Sequence, residues 1–588
     1  MRKFAILFIS ITLCACHINP QILNKNAPVD PFKLYMPSFN TAREKNDIYQ
    51  EWVITNLLLG VHKFGRYNQD QKDSLYYLRS GNKRIEAAVF FHAQYGIPLP
   101  KSCKRMKINL KYEYRTINHS EFLMNIAFNN KTTLLKSINI PLEPTFSEED
   151  IILPFSNKKI KVNIPCGANN CVVQLMTNMG MVALDRCDIE IDGKKIEAYT
   201  YNQAPPFSSS ELKQIEKELS GTLQINDQVK ILGIGESLHC SLELIEQATN
   251  IVKEKITNGG YRKIFLEVSP MLGYRINQYV QGESTNMESI TNMSKNSYNN
   301  SYFIDLIKFI KVNNQKNKEK VIIAGFDIAM DKNSLDSLFR DVVSIYPKSE
   351  EIKSCAIMLT ELAQQNSDNK LRALKGSNIE KISSLLCQAI EKSKERHDVY
   401  ESYIYNYLLV WVRNSSSHYA NNKLTQSRDS VMAENVSYLI QYLPETSNTI
   451  ILGHLGHIAK NKQNRELKGC YTSSMGYYLF QKYGKKYMVL GLFAGSGTFW
   501  AGRYDGYNLN VKKGIYPVAY PIGKSIEQLC ILMNKSSFYI NNIKDFSILD
   551  RIVYERAQGA YWEPMQFEPV DLRKELNAIW FTKVSTAL

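Results

Sequence analysis

Between about residues 105 and 200, apolar and polar positions alternate with a period of two. The runs are Ile108 to Tyr114, Phe122 to Phe128, Lys159 to Ile164 and Val172 to Met176. Such alternation turns one face of a strand to a core and the other to solvent. A further strand-like run, Cys187 to Ile196, carries Asp192-Gly193 at its centre, the signal of a tight hairpin. Several short strands with turn signals predict an all-β sandwich, jelly-roll-like in type. Upstream, residues of about 50–63 read as a helix, and 17–50 are rich in Asn and Pro and read as a tether and entry segment.

After a Pro- and Ser-rich linker at 201–210 the pattern changes. Apolar strand-like runs at Val229 to Ile234, Lys263 to Val268, Lys320 to Phe326, Thr449 to Gly453 and Tyr487 to Phe493 alternate with helical stretches at 241–258 and 271–281. Residues of about 332–445 are largely helical, with a helix start near Ser427. Continuous apolar strands spaced by helices predict an α/β fold, a parallel sheet covered on both faces and interrupted by a helical insertion. The organisation expected is 1–15 as an address, 16–50 as a tether, 51–204 as a mostly β accessory domain and 205–588 as one α/β domain. No internal repeat is visible.

The 588 residues are 44% apolar and 22% charged, an ordinary globular balance that excludes a disordered or collagen-like chain. The net charge of +15 raises the question of a nucleic-acid partner. The basic residues are scattered, Lys101, Lys104 and Arg105 make only a small cluster, and no nucleic-acid motif accompanies them, so no such partner is expected. At the start, Arg2 and Lys3 precede an apolar run from Phe4 to Leu13 that is too short to span a bilayer. Leu13-Cys14-Ala15-Cys16 resembles a bacterial lipobox. That resemblance implies lipidation of Cys16, and with His17 rather than Asp next, anchoring at the outer membrane of the cell envelope. Nine of eleven cysteines then remain, and among Cys166, Cys171 and Cys187 a disulfide could form in an oxidising compartment. No Cys-x-x-Cys pair occurs, which argues against a structural zinc ribbon.

Ligands of open α/β sheets bind at the carboxyl ends of the strands. The first predicted strand ends in Gly235-Glu236-Ser237-Leu238-His239, the second in Glu267, the third in Gly325-Phe326-Asp327 and the fourth in Gly453-His454-Leu455-Gly456-His457. Three of nine histidines thus fall at strand ends of one sheet, together with three carboxylates. A carboxylate at the end of an apolar strand is costly to desolvate unless it is paired or used. Each has a plainer reading as well: Glu236 at a helix N-terminus, His239 as a satisfied histidine in the first turn of a helix, Glu267 paired with Arg275, Asp327 as a helix cap, His454 and His457 as loop residues. Gly233-x-Gly235 lacks the third Gly of a dinucleotide loop, Gly495-Ser496-Gly497 lacks a P-loop Lys, and no Gly-x-Ser-x-Gly elbow is present.

In order along the chain, these residues resemble the erythromycin esterase-like family. The motifs are Gly235-Glu236-x-x-His239, Leu266-Glu267, Asn277-x-Tyr279-Val280-x-Gly282, Gly325-Phe326-Asp327, Arg428-Asp429-x-x-Met432-Ala433-Glu434-Asn435, His454-x-x-His457 and the closing Asn577 to Phe581. Cys240 follows His239 where the family motif has Gly. The closing Asp188-Ile-Glu-Ile-Asp-Gly-Lys-Lys-Ile196 hairpin is similar to the last hairpin of carbohydrate-binding jelly rolls, which implies a carbohydrate or peptide partner for the β-domain.

The family resemblance implies hydrolysis of a small-molecule ester or related acyl bond by activated water. From the residues themselves, His239 is the best general base, since its ordinary pKa lies near neutrality and a carboxylate is close in sequence. Glu236 and Glu267 could orient it or the water. His454 could donate to a developing oxyanion or to the leaving group, with His457 as second choice. Arg275 and Arg428 are expected to bind an anionic group or hold the carboxylates, and Asp327 and His457 are further candidate binding residues. This reading requires no cofactor. The set Glu236, His239, Glu267 and His454 would also suit a divalent, zinc-like metal, which keeps open a metal-dependent peptidase acting on a secreted peptide. A third reading is a non-catalytic surface lipoprotein that binds glycan or peptide.

Overall fold

The computed structural model describes residues 53–55, 63–69, 73–80, 91–99, 102–115, 122–143, 156–177, 180–195, 207–285, 287, 298–327, 350, 403, 428–443, 447–461, 473–504, 511–518, 521, 525–552, 554–556 and 567–588. The amino-terminal address, the tether and most of the helical insertion, on which several sequence expectations fall, lie outside them.

The first part is all β. Its strands are β1 (Val53–Thr55), β2 (Lys63–Gln69), β3 (Asp73–Ser80), β4 (Phe91–Pro98), β5 (Arg105–Arg115), β6 (Phe122–Asn130), β7 (Thr133–Pro141), β8 (Ser156–Asn163), β9 (Asn170–Thr177), β10 (Gly180–Ile191) and β11 (Lys194–Lys195). Two antiparallel sheets form, in orders β1-β4-β9-β6-β7 and β2-β3-β10-β5-β8, with β11 on β10. The period-two pattern becomes burial: Met106, Ile108, Leu110 and Tyr112 of β5 are buried while the residues between them are not. The Tyr112 ring meets Phe122 of the other sheet edge-on, centroids 5.7 Å apart. Asp192 and Gly193 both take positive φ, 49° and 81°, and close the two-residue turn between β10 and β11.

Two expectations fail here. The helix expected at about 50–63 is not formed at its described ends, since Val53–Thr55 pairs antiparallel with β4 and Lys63 opens β2. Val, Ile and Thr are β-branched, and cross-strand pairing overrides a weak helical pattern. No disulfide joins Cys166 and Cys171 either: Cys166 is an exposed free thiol and Cys171 a fully buried one.

The second part is α/β. In chain order it contains α1 (Ser209–Lys217), β12 (Leu219–Ser220), β13 (Ile231–Glu236), α2 (Leu242–Asn258), β14 (Tyr261–Leu266), α3 (Pro270–Gln281), α4 (Ser301–Lys316), β15 (Ile322–Gly325), α5 (Arg428–Tyr442), β16 (Asn448–His454) and α6 (Leu455–Ile458). There follow α7 (Met475–Tyr483), β17 (Tyr487–Tyr504), β18 (Val511–Pro517), α8 (Ile526–Leu532), β19 (Ser537–Ile540), β20 (Tyr554–Arg556), β21 (Phe567–Pro569), α9 (Leu572–Glu575) and β22 (Ala578–Ser585). The sheet order is β12-β19-β22-β17-β13-β16-β14-β15, with β18 on β17. From β22 to β15 neighbouring strands are parallel, whereas β19 pairs antiparallel with β22 and with β12. The sheet is therefore mixed, not wholly parallel. β12 has two residues and β19 four, too few to leave more than a faint apolar signal.

Successive residues of the central strands feed two cores. Leu232, Ile234, Ile450, Leu452, Leu490 and Leu492 pack with α2, α3 and α4. Ile231, Ile451, Val489 and Phe493 pack on the opposite face with residues of α5, α7, α8 and α9. On that second face, α6 crosses β13 closely. A Cβ on Gly233 would lie 2.7 Å from Ile458 Cγ2, and one on Gly235 would lie 2.7 Å from Leu455 Cδ1. The Gly-x-Gly pair of β13 thus serves helix–sheet contact.

Candidate active site

Parallel pairing sets the level of the site. Glu236, the last residue of β13, stands in register with His454, the last residue of β16. Beyond Glu236 the chain turns through Cys240, whose φ of 57° lies in the left-handed region that glycine enters at least cost. The turn brings His239 back on Glu236, with His239 Nδ1 2.6 Å from Glu236 Oε1. The His239 and His454 rings lie against each other with centroids 4.7 Å apart. His239 keeps about a fifth of its side chain exposed, 22% against 11% for Glu236.

Burial pulls the His239 pKa down. The hydrogen bond and charge of Glu236, joined by the charge of Glu267, outweigh it, so the imidazole ends above its ordinary value. With Nδ1 engaged by Glu236, Nε2 is the ring atom left for a substrate or a water.

Glu267 follows directly on β14. Its Oε2 accepts the backbone N–H of His454 at 2.6 Å, and its Oε1 lies 3.5 Å from His457 Nε2. His454 caps α6, its Nδ1 accepting the Gly456 N–H at 3.2 Å. His457, one turn on, places Nδ1 2.9 Å from Asp429 Oδ1, and Asp429 Oδ2 accepts the Met475 N–H at 3.0 Å. A chain of charge-capable groups, buried at Asp429 and His457 and partly exposed at Glu267 and His454, therefore runs Asp429–His457–Glu267–His454, joining α5, α6 and the ends of β14 and β16. Tyr298 ties the same strand ends together: its hydroxyl donates to Leu452 O and accepts from Glu267 N–H, both at 3.2 Å. Burial, then the charges of Glu267, Glu236 and Asp327, hold the Tyr298 hydroxyl far above its ordinary pKa, so it stays a neutral donor.

The sequence-derived residues divide accordingly. Glu236, His239, Glu267, His454 and His457 converge. Asp327 is buried beyond the end of β15, its N–H bonded to Val268 O at 3.0 Å, and its charge is felt at Tyr298. Arg275 lies half-buried on α3. Arg428 opens α5, and its side chain is outside the described residues, as is Cys16. Glu267 meets His454 N–H, His457 and Tyr298. Sequence reasoning named Asp429 within the Arg428 to Asn435 motif without giving it a role, and did not name Tyr298. Asp429 had a signal, as a carboxylate in a helical first turn beside the buried apolar Val431 and Met432. Tyr298 had none in its local pattern. Among the described residues, no group of three or more His, Cys, Asp or Glu side chains is arranged to hold a metal ion. Glu236 meets His239 Nδ1, and Glu267 accepts the His454 N–H.

The model of the erythromycin esterase family matches residues 256–584, more than half of the chain. The matched span includes Glu267, Asp327, Asp429, His454 and His457 and begins after Glu236 and His239. Among solved structures, a protein from Bacillus cereus is similar at a TM-score of 0.52 and 18% identity, covering 65% of this chain and 99% of that one. A succinoglycan biosynthesis protein is similar at 0.53 and 15% identity, covering 66% and 99%. An erythromycin esterase variant in its open conformation aligns at 0.46 and 18% identity, covering 61% and 91%. The first two share the fold of the α/β part. No curated protein matches the chain.

Proposed function

Because the chain belongs to the erythromycin esterase family, we propose that it is a hydrolase of small-molecule esters or related acyl bonds, with His239 as the general base. The observation that carries this reading is the 2.6 Å contact between His239 Nδ1 and Glu236 Oε1 beside the His454 ring. Glu236 fixes the imidazole so that Nε2 takes a proton from the attacking water and stabilises the charge it acquires. His454 stands across from it, suited to donate to the oxyanion or the leaving group. Glu267 and His457 position His454 through its backbone and through α6.

The experiment is a screen of purified protein against macrolides, model esters and peptides, with and without a chelator, beside the His239→Ala variant. Base catalysis of this kind is worth about 10²–10⁴-fold, so His239→Ala should lose that much on any substrate the wild type cleaves. Full activity in the variant would remove His239 from the mechanism. Loss with chelator alone, restored by zinc, would replace it with metal chemistry. For location, the reading is a protein lipidated at Cys16 and held at the envelope, with the β part free to hold a carbohydrate or peptide. Mass spectrometry of the mature amino terminus, compared with Cys16→Ala, tests it, and an unlipidated wild-type terminus would overturn it.

A further inference from the structure

We propose that the molecule carries a second ligand site, a cationic cleft that binds an oxyanion on an apolar or ring-shaped body, a phosphate monoester or a carboxylate. The cleft has a volume of about 660 Å³. It lies where α9, the turns at Ile543–Asp545 and Ser547–Arg551, and α7 meet. These segments adjoin the start of β22 and the end of the antiparallel β19. That is the amino end of the parallel strands, opposite Glu236, His239 and His454.

The charges of the cleft do not balance. Five cations line it against two carboxylates. Asp571 takes Lys574 at 2.8 Å and Lys131, from the β6–β7 turn, at 3.3 Å. Asp550 takes Arg573. Lys460 and Lys544 are left, and among the described residues neither has a carboxylate at ion-pair distance. Lys460 is 5% exposed, yet it lines the cleft. Its ammonium donates to Asn577 Oδ1 at 2.6 Å and lies 5.0 Å from the centre of the Phe480 ring. Burial, then the charge of Lys544, press its pKa down to about 7 against the pull of Glu575. Glu575 offers little compensation at neutrality, because burial, followed by the charge of Asp571, raises its own carboxyl to about 7.

Lys544 lies near enough for its charge to lower the pKa of Lys460, and a bound oxyanion supplies the charge that would offset this repulsion. Phe480 and Tyr477 give the cleft an apolar wall, which suits a ligand with a body beyond its anionic head. The charged groups around Lys460 are then Lys544 and Glu575, with Lys131, Asp550, Asp571, Arg573 and Lys574 at the rim. An anion seated between Lys460 and Lys544 raises the pKa of Lys460, so binding above neutrality takes up a proton.

The test is calorimetric titration of the full chain with inorganic phosphate and, separately, benzoate. At least one should bind saturably in the millimolar range or tighter. Saturation by phosphate alone assigns the phosphate monoester, by benzoate alone the carboxylate. Lys460→Met and Lys544→Met should each weaken binding about tenfold or more, the value of one charge-assisted hydrogen bond, while leaving His239-dependent hydrolysis unchanged. Lys544 is exposed, so Lys544→Met keeps the test valid if Lys460→Met folds poorly. At pH 8 the binding heat should vary with buffer ionisation enthalpy in the wild type and not in Lys460→Met. Failure of both probes to saturate, or affinities unchanged in Lys544→Met, would overturn the site.

Discussion

Glu267 holds His454 by its backbone: Glu267 Oε2 accepts the His454 N–H at 2.6 Å. A carboxylate on one strand end thereby sets where the neighbouring strand stops and α6 begins. Gly453 makes the approach possible, since a Cβ there would lie 2.9 Å from Glu267 Oε2. Gly453→Ala should push the carboxylate off His454 N–H and shift both rings that depend on it. A misplacement near 1 Å can cost about 10²-fold in rate. Steady-state kinetics beside circular dichroism measure this, and a folded variant with wild-type kcat would rule the contact out as a positioning device.

The pH profile follows from the His239–Glu236 pair. A base must be neutral to accept a proton, and His239 titrates above the ordinary imidazole value. The rising limb of kcat/KM should therefore sit on the alkaline side of free imidazole. In Glu236→Gln the burial that lowers the pKa persists while the main raising influence is gone. The limb should then move to lower pH, and a limb that stays in place would separate His239 from the profile.

Asp429 binds His457 Nδ1 and the Met475 N–H at once. Asp429→Ala leaves both unpartnered by that carboxylate in a buried setting. Breaking a buried pair of this kind costs about 3–5 kcal/mol, which chemical denaturation would read directly. Asp429→Asn keeps the shape and one acceptor oxygen, and should recover part of the stability. Equal midpoints for wild type and Asp429→Ala would contradict the assignment.

Tyr298→Phe removes one hydroxyl bridging Leu452 O and Glu267 N–H. Because Glu267 N–H also reaches Leu452 O at 3.0 Å, the stability loss should be small, about 1 kcal/mol. A drop in kcat larger than the stability change is the outcome expected of a residue that holds the ends of β14 and β16 in place.

Gly233→Ala probes the crossing of α6 over β13. Its Cβ would meet Ile458 Cγ2 at 2.7 Å and the Tyr487 hydroxyl at 2.8 Å, and that hydroxyl already donates to Ile458 O at 2.6 Å. Overpacking of this type costs about 1–3 kcal/mol. A thermal midpoint equal to wild type would mean the crossing is looser than it looks.

The sequence by itself determined what local periodicity and strand-end chemistry can carry. Alternation in β5, β6, β8 and β9, the Asp192-Gly193 turn, and apolar runs ending in Glu236, Glu267 and His454 were all legible, because each depends on residues close in the chain. Register in a parallel sheet then follows from burying those runs side by side. Three features belonged to the tertiary structure. The antiparallel edge strands β12 and β19 are too short to leave a pattern. Val53–Thr55 became a strand because a partner strand was there to receive it. The chain Asp429–His457–Glu267–His454, with Tyr298 across its end, joins distant segments, Glu267 and His454 alone being 187 residues apart. No periodicity records such a meeting. It exists because buried carboxylates and imidazoles must find one another once water is excluded.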